Sequence, residues 1–202
     1  SFPEGTDGGS VGFTTLGFKD VAGEDVPSPI FYSKGPRPQN EALDVRMRRS
    51  ETLGFDFSLD FVSTSIDDDR FITPMALWES YNNEASQVMA TWVANKNYAA
   101  GEPIIVRSNN YRYPFNHILE EAVSEGDTLH IKDIISNKLV VGVEDEVYMS
   151  LNAVDFAETP TWFLISDDNH AGVEGLSQCL GFSADGNYLW VGTAEGRVFR
   201  IS

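Results

Sequence analysis

Glycine falls on glycine when Leu139-Val-Val-Gly-Val-Glu-Asp-Glu-Val-Tyr-Met-Ser150 is laid over Leu189-Trp-Val-Gly-Thr-Ala-Glu-Gly-Arg-Val-Phe-Arg-Ile-Ser202, with Gly142 and Gly192 fifty positions apart. Each copy is an apolar strand ending in Gly, a polar turn and an alternating strand, which predicts a hairpin in both places. A hairpin repeated at this spacing is the signature of an architecture built from successive small sheets. Ahead of the second copy, Leu176-Ser-Gln-Cys-Leu-Gly-Phe182 predicts a buried strand holding the lone Cys179. It runs into Ser183-Ala-Asp-Gly-Asn187 and then at once into the strand from Leu189. Asp185 and Gly186 suit a tight turn there, because Asp can bond its own backbone and Gly accepts positive φ.

These residues resemble WD40-like β-propeller repeats, whose commonest form is phenylalanine, serine, a small residue, Asp-Gly, a strand and a Gly-Thr or Gly-Ser turn. Phe182 to Gly186 and Gly192-Thr193 carry the match. Leu189 to Thr193 is also similar to the Leu-Trp-Val-Gly-Thr motif of two-component-regulator-type propellers. The Trp-Asp dipeptide that names the WD40 class is absent, and Phe199-Arg200 stands where the strand ends. The resemblance covers residues 136–202 and implies an all-β fold of propeller-blade hairpins. A propeller needs at least about four blades, so it also implies an incomplete one, completed by further blades of a longer chain, the favoured reading, by a protein partner, or by degenerate strands in residues 10–80.

Upstream, residues 1–50 carry turn formers at Gly5-Thr-Asp-Gly-Gly9, Val26-Pro-Ser-Pro29 and Gly35-Pro-Arg-Pro38, which predicts an extended Gly/Pro-rich arm. Within it, Val11–Phe18 and Ile30–Tyr32 are able to pair with a sheet edge. Residues 51–83 predict a β-hairpin joining the sheet core. Leu53, Phe55, Phe57, Leu59 and Phe61 alternate with polar or small residues, and Pro74 marks Phe71–Trp78 as an edge strand. Residues 84–135 predict a small β-sandwich-like insertion of four short strands, with Ala99–Val106 resembling Ser124–Ile131 as a Gly-acidic turn launching a strand. The only helix candidates lie near Glu79–Val88 and Ile118–Ser124, both too short to form readily alone, so a low helical fraction is expected.

Thirty-one acidic against fourteen basic residues give a net charge of -17, which repels phosphate backbones and argues against nucleic-acid binding. One cysteine rules out an internal disulfide framework, and no run of apolar residues reaches the length of a membrane span. No signal region opens the chain, so Ser1 is expected to be a processed mature end or a fragment boundary. The acidic surface, the insertion and the propeller motifs together resemble large surface or envelope proteins of Bacteroidota-type bacteria, which implies an extracytoplasmic location, periplasmic, cell-surface or secreted.

The chemistry-bearing residues are sparse. His117, His130 and His170 lack any zinc spacing, and no Gly-x-Ser-x-Gly elbow or phosphate loop is present. No cofactor is expected, calcium excepted: Asp67, Asp68 and Asp69, and Asp167 with Asp168, put adjacent carboxylates in predicted loops able to offer it oxygen ligands. Trp78, Trp92, Tyr111 and Tyr113 are candidate contacts for a partner or a glycan, with Asn109–Tyr113 expected to be the exposed group. The function these features point to is a non-catalytic protein-interaction or scaffolding module, the front part of a longer propeller protein. The alternatives are a carbohydrate-active propeller enzyme or glycan-binding module, and a ligand-sensing propeller domain.

Overall fold

A computed structural model describes residues 12–34, 47–50, 74–143, 145–155, 160–167 and 172–202. Among these the fold is all-β, with antiparallel sheets and no helix. In chain order the strands are β1 (Gly12–Val21), β2 (Glu24–Lys34), β3 (Met47–Ser50), β4 (Met75–Ser80), β5 (Met89–Val93), β6 (Pro103–Arg107) and β7 (Pro114–Ile118). They continue with β8 (Thr128–Lys132), β9 (Ser136–Gly142), β10 (Val147–Ser150), β11 (Phe163–Ser166), β12 (Ser177–Phe182), β13 (Leu189–Thr193) and β14 (Val198–Ile201). The closed ring of a propeller is not seen among the described residues.

The expected arm is in part a sheet of its own, in the order β1-β2-β3. A two-residue turn at Ala22 and Gly23, with φ of 56° and 87°, joins β1 to β2, so the two pairing runs expected of the arm meet each other in one continuous register, Phe13–Thr15 opposite Ile30–Tyr32. Val26-Pro-Ser-Pro29 lies inside β2 and does not break it. Two prolines two residues apart lose their N–H groups on the same side of a strand. The ladder with β1 survives when that side faces away from it, where β3 reaches only Phe31–Lys34.

The middle of the molecule is a four-stranded sheet in the order β11-β10-β9-β4. β4 starts directly after Pro74 and lies at the sheet's edge, as a residue without an N–H requires, while the Pro74 carbonyl accepts the Gly142 N–H at 3.0 Å. Its expected hairpin partner, Leu53–Phe61, lies outside the described residues. Both glycine-ended hairpins are present: Gly142 pairs with Val147 and Leu139 with Ser150, and Gly192 pairs with Val198 and Leu189 with Ile201. The two glycines answer to one neighbour, β12. A Cβ on Gly142 would come 2.8 Å from Ser177 Cβ, and one on Gly192 would come 2.6 Å from Cys179 Sγ.

Period-two alternation gives the four-stranded sheet two faces that both contribute to cores, although Phe163 and Leu164 of the edge strand β11 stay exposed. On one, Ala76, Val140, Val147, Met149 and Ile165 meet Leu180, Phe182, Leu189, Val191, Phe199 and Ile201 of the sheet β12-β13-β14. On the other, Met75, Leu77, Leu139, Val141 and Tyr148 meet the core of the segment between β4 and β9. That segment leaves and returns at adjacent points, because Ser80 at the end of β4 pairs with Ser136 at the start of β9.

Within it β5 pairs with β8 and β6 with β7, around Ala90, Ile104, Val106, Phe115, Leu119 and Ile131. Neither helix candidate forms a helix here. Residues 79–88 finish β4 and then turn, and 118–124 finish β7, bend at Glu120 and Glu121 and reach the isolated bridge between Tyr98 and Val123. Segments this short cannot offset the cost of a helical nucleus, while the bridge satisfies their backbone across the module.

Candidate functional site

The sheet β12-β13-β14 has one face packed on the four-stranded sheet and one face open. Its inner residues are buried against the four-stranded sheet, so its outer face is set by the alternate positions. In register, these are Cys179 opposite Gly192 opposite Val198, and Gly181 opposite Trp190 opposite Arg200. Val198 is 70% exposed and Trp190 47%, and Cys179 is exposed too. The burial expected for Cys179 is therefore wrong although the strand is there: it sits on the edge strand, on the uncovered face. Among the described residues no strand pairs with the far side of β14.

The β12–β13 turn that shapes this face is built as its residues dictate. Gly186 takes φ 69°, Gly186 N donates to the Ser183 carbonyl at 2.9 Å, and Tyr188 N donates to Ser183 Oγ at 3.0 Å. Asp185 accepts from Ser183 Oγ, from Asn187 N at 3.1 Å and from Asn187 Nδ2 at 2.8 Å. These donors, Ser183 first, hold the Asp185 carboxyl below the usual carboxylate range.

Trp78 clamps the turn from the other sheet. Its Nε1 donates to the Ala184 carbonyl at 3.1 Å, and its ring lies where a Cβ on residue 186 would stand. Lys138 completes the junction, with Nζ 5.3 Å from the Trp78 ring centroid and donating to the Gly186 carbonyl at 2.6 Å. Beside it, Lys138, Met149, Ile165, Phe182, Leu189 and Ile201 border a cleft of about 300 Å³ between the two sheets.

The other candidate residues scatter. Tyr111 is 2% exposed and donates its hydroxyl to Glu79 Oε1 at 2.6 Å, so Asn109–Tyr113 is not the exposed group expected. Tyr111 and Arg112 both take left-handed backbone, with φ of 60° and 53°, and this turns the tyrosine inward. Tyr113 packs on Tyr81 at 4.7 Å and Trp92 on Tyr98 at 5.2 Å, in different parts of the segment 81–135. Asp167 is half-buried just after β11; Asp67, Asp68, Asp69 and Asp168 lie outside the described residues. Among the described residues no three or more His, Cys, Asp or Glu side chains are grouped to share a metal ion, and no helix is long and apolar enough to cross a membrane.

Two structural residues escape the sequence patterns. Lys138 follows the polar pair Ser136-Asn137 at the start of β9 and shows no sign of its cross-sheet role. Asp133, 0% exposed, accepts from Ser108 Oγ at 2.8 Å, Asn109 N at 2.9 Å and Ile135 N at 3.0 Å. Its position just past an alternating strand is the signal available, since a carboxylate buried there must gather donors. No family model matches the chain, and neither the curated proteins nor the solved structures contain a match to it.

Proposed function

We propose that the chain is a non-catalytic interaction module of an extracytoplasmic scaffold, in which β4, β9, β10 and β11 make one propeller-type blade and β12, β13 and β14 make three strands of the next. The carrying observation is the outer face of β12-β13-β14, with Trp190, Val198 and Cys179 uncovered, while the corresponding strands β9 and β10 of the neighbouring sheet are buried or half-buried on both faces. Under the repeat, β10 corresponds to β14, so β11 marks the place beside β14 that an added strand would take. Its occupant is a further blade or a protein partner.

Cys179 is a native reporter of that face, being the chain's one cysteine. N-ethylmaleimide labelling of Cys179 should run at least about tenfold slower in material isolated from its natural source than in the 202-residue chain alone, because a docked neighbour shields it. Equal rates would mean that the face is open in the native assembly and the proposal fails.

A further inference from the structure

The segment 81–135 is an internal duplication at an offset of 25 residues, extending the likeness of Ala99–Val106 to Ser124–Ile131 across whole strands. β5 corresponds to β7 and β6 to β8, and the two strand pairs map onto each other, Met89 opposite Lys132 becoming Pro114 opposite Arg107. The loops obey the same operation. Gly101 N donates to the Leu119 carbonyl at 2.7 Å, as Gly126 N does to Ala94 at 2.8 Å. Ala99 N donates to Glu102 Oε2 at 3.1 Å, as Ser124 N does to Asp127 Oδ2 at 2.9 Å. Tyr98 and Val123, equivalent to each other, exchange backbone hydrogen bonds at 2.8 and 3.0 Å on the pseudo-twofold.

The copies differ in what fills the crevice between strand pair and loop. In the first, Trp92 and Tyr98 meet edge to face, and the Lys96 ammonium lies 4.6 Å from the Tyr98 ring centroid and 3.1 Å from Glu102 Oε1. In the second, the same positions carry His117, Val123, Glu121 and Asp127. The aromatic bodies are gone, and a groove of about 590 Å³ lies there instead, lined by His117, Glu120, Glu121, Asp127 and His130 among others. The cation is also gone, with Glu121 in the place of Lys96 and Glu120 in the place of Asn95. Lys132 reaches the groove wall, but its ammonium donates to the Glu84 carbonyl at 3.2 Å.

We infer that this groove receives a lysine side chain carried next to an aromatic one on a partner polypeptide, restoring from outside the cation and ring that the first copy supplies itself. An apolar floor under a rim of carboxylates suits that pair, since the ring is buried while the ammonium meets Glu121 and Asp127. The site is separate from the β12-β13-β14 face, so Cys179 labelling and the following experiment succeed or fail independently.

The full chain is titrated with acetyl-Lys-Trp-Lys-amide and, in parallel, acetyl-Glu-Trp-Glu-amide, following the imidazole NMR signals of His117 and His130. The lysine peptide should shift both signals and bind at least about tenfold more tightly than the glutamate peptide, with an affinity that falls as salt rises. Refilling the groove with the first copy's residues, His117→Trp, Glu121→Lys and Val123→Tyr together, should abolish the binding with the circular dichroism spectrum unchanged. If that variant does not fold, Glu121→Gln should weaken binding several-fold. Absence of shifts, equal affinity for the two peptides, or undiminished binding by whichever variant folds would each overturn the inference.

Discussion

Gly186 meets two demands at once, a φ of 69° and a Cβ position 2.4 Å from the Trp78 ring. Either alone destabilises an alanine. The Gly186→Ala variant should therefore lose about 2–4 kcal/mol in urea unfolding, the sum of backbone strain and overpacking. A loss no larger than that of an ordinary exposed substitution would show that the Trp78 clamp yields freely. Tyr148 sets a second residue-scale expectation. Burial, then its hydrogen bond to Glu146 Oε2 at 2.8 Å, raises its pKa from 10.0 to about 12. A phenol raised in this way favours the folded state in full below its unfolded pKa, and that share of stability is lost as pH climbs through the folded value. Absorbance titration should show Tyr148 ionising near pH 12, with stability falling between 10.0 and about 12. Tyr148→Phe should remove both effects.

At the scale of the element, the 25-residue duplication makes a paired prediction. Gly101 and Gly126 take φ of 83° and 89°, and a Cβ on either meets nothing within 4 Å, so only backbone strain opposes substitution. Gly101→Ala and Gly126→Ala should each cost about 1 kcal/mol and agree within about 0.5 kcal/mol. A large disparity in denaturant unfolding would break the equivalence. Turns such as these, and the hairpins ended by Gly142 and Gly192, are legible in the sequence because both period-two alternation and positive-φ chemistry are local. The partners of β5 and β6 are not, since the same alternation is satisfied whether β5 pairs with β6 or with β8. The candidate contacts were legible only as residue types. Tyr111 stands in the polar run Asn109-Asn-Tyr-Arg-Tyr113, and nothing local announces the left-handed pair that buries it. Cys179 was misplaced for the converse reason: its apolar strand is real, but which face goes uncovered is decided by sheets that are distant in sequence.

Over the whole molecule, the sheet β12-β13-β14 and the inserted module share the four-stranded sheet as their common wall. Backbone register alone would let that wall do without the module, for Ser80 and Ser136 are paired neighbours and an Asn-Gly turn could join β4 to β9. Packing says otherwise. Leu139 and Val141 are 0% exposed, and the face they occupy is covered by the module's core and by Ala153 and Val154. Replacing residues 81–135 with Asn-Gly would uncover both, together with Met75 and Leu77 on the edge strand. At roughly 1.5–3 kcal/mol for each large side chain returned to water, Leu139 and Val141 alone cost about 3–6 kcal/mol, a large part of a domain's net stability. The shortened protein should therefore bind a hydrophobic dye and unfold at markedly lower urea, even though its hairpin register is intact. Unchanged stability with no dye binding would mean that the module hangs from the β4–β9 edge without supporting it. The interaction surfaces on the two sides of the wall would then be joined by chain connectivity alone.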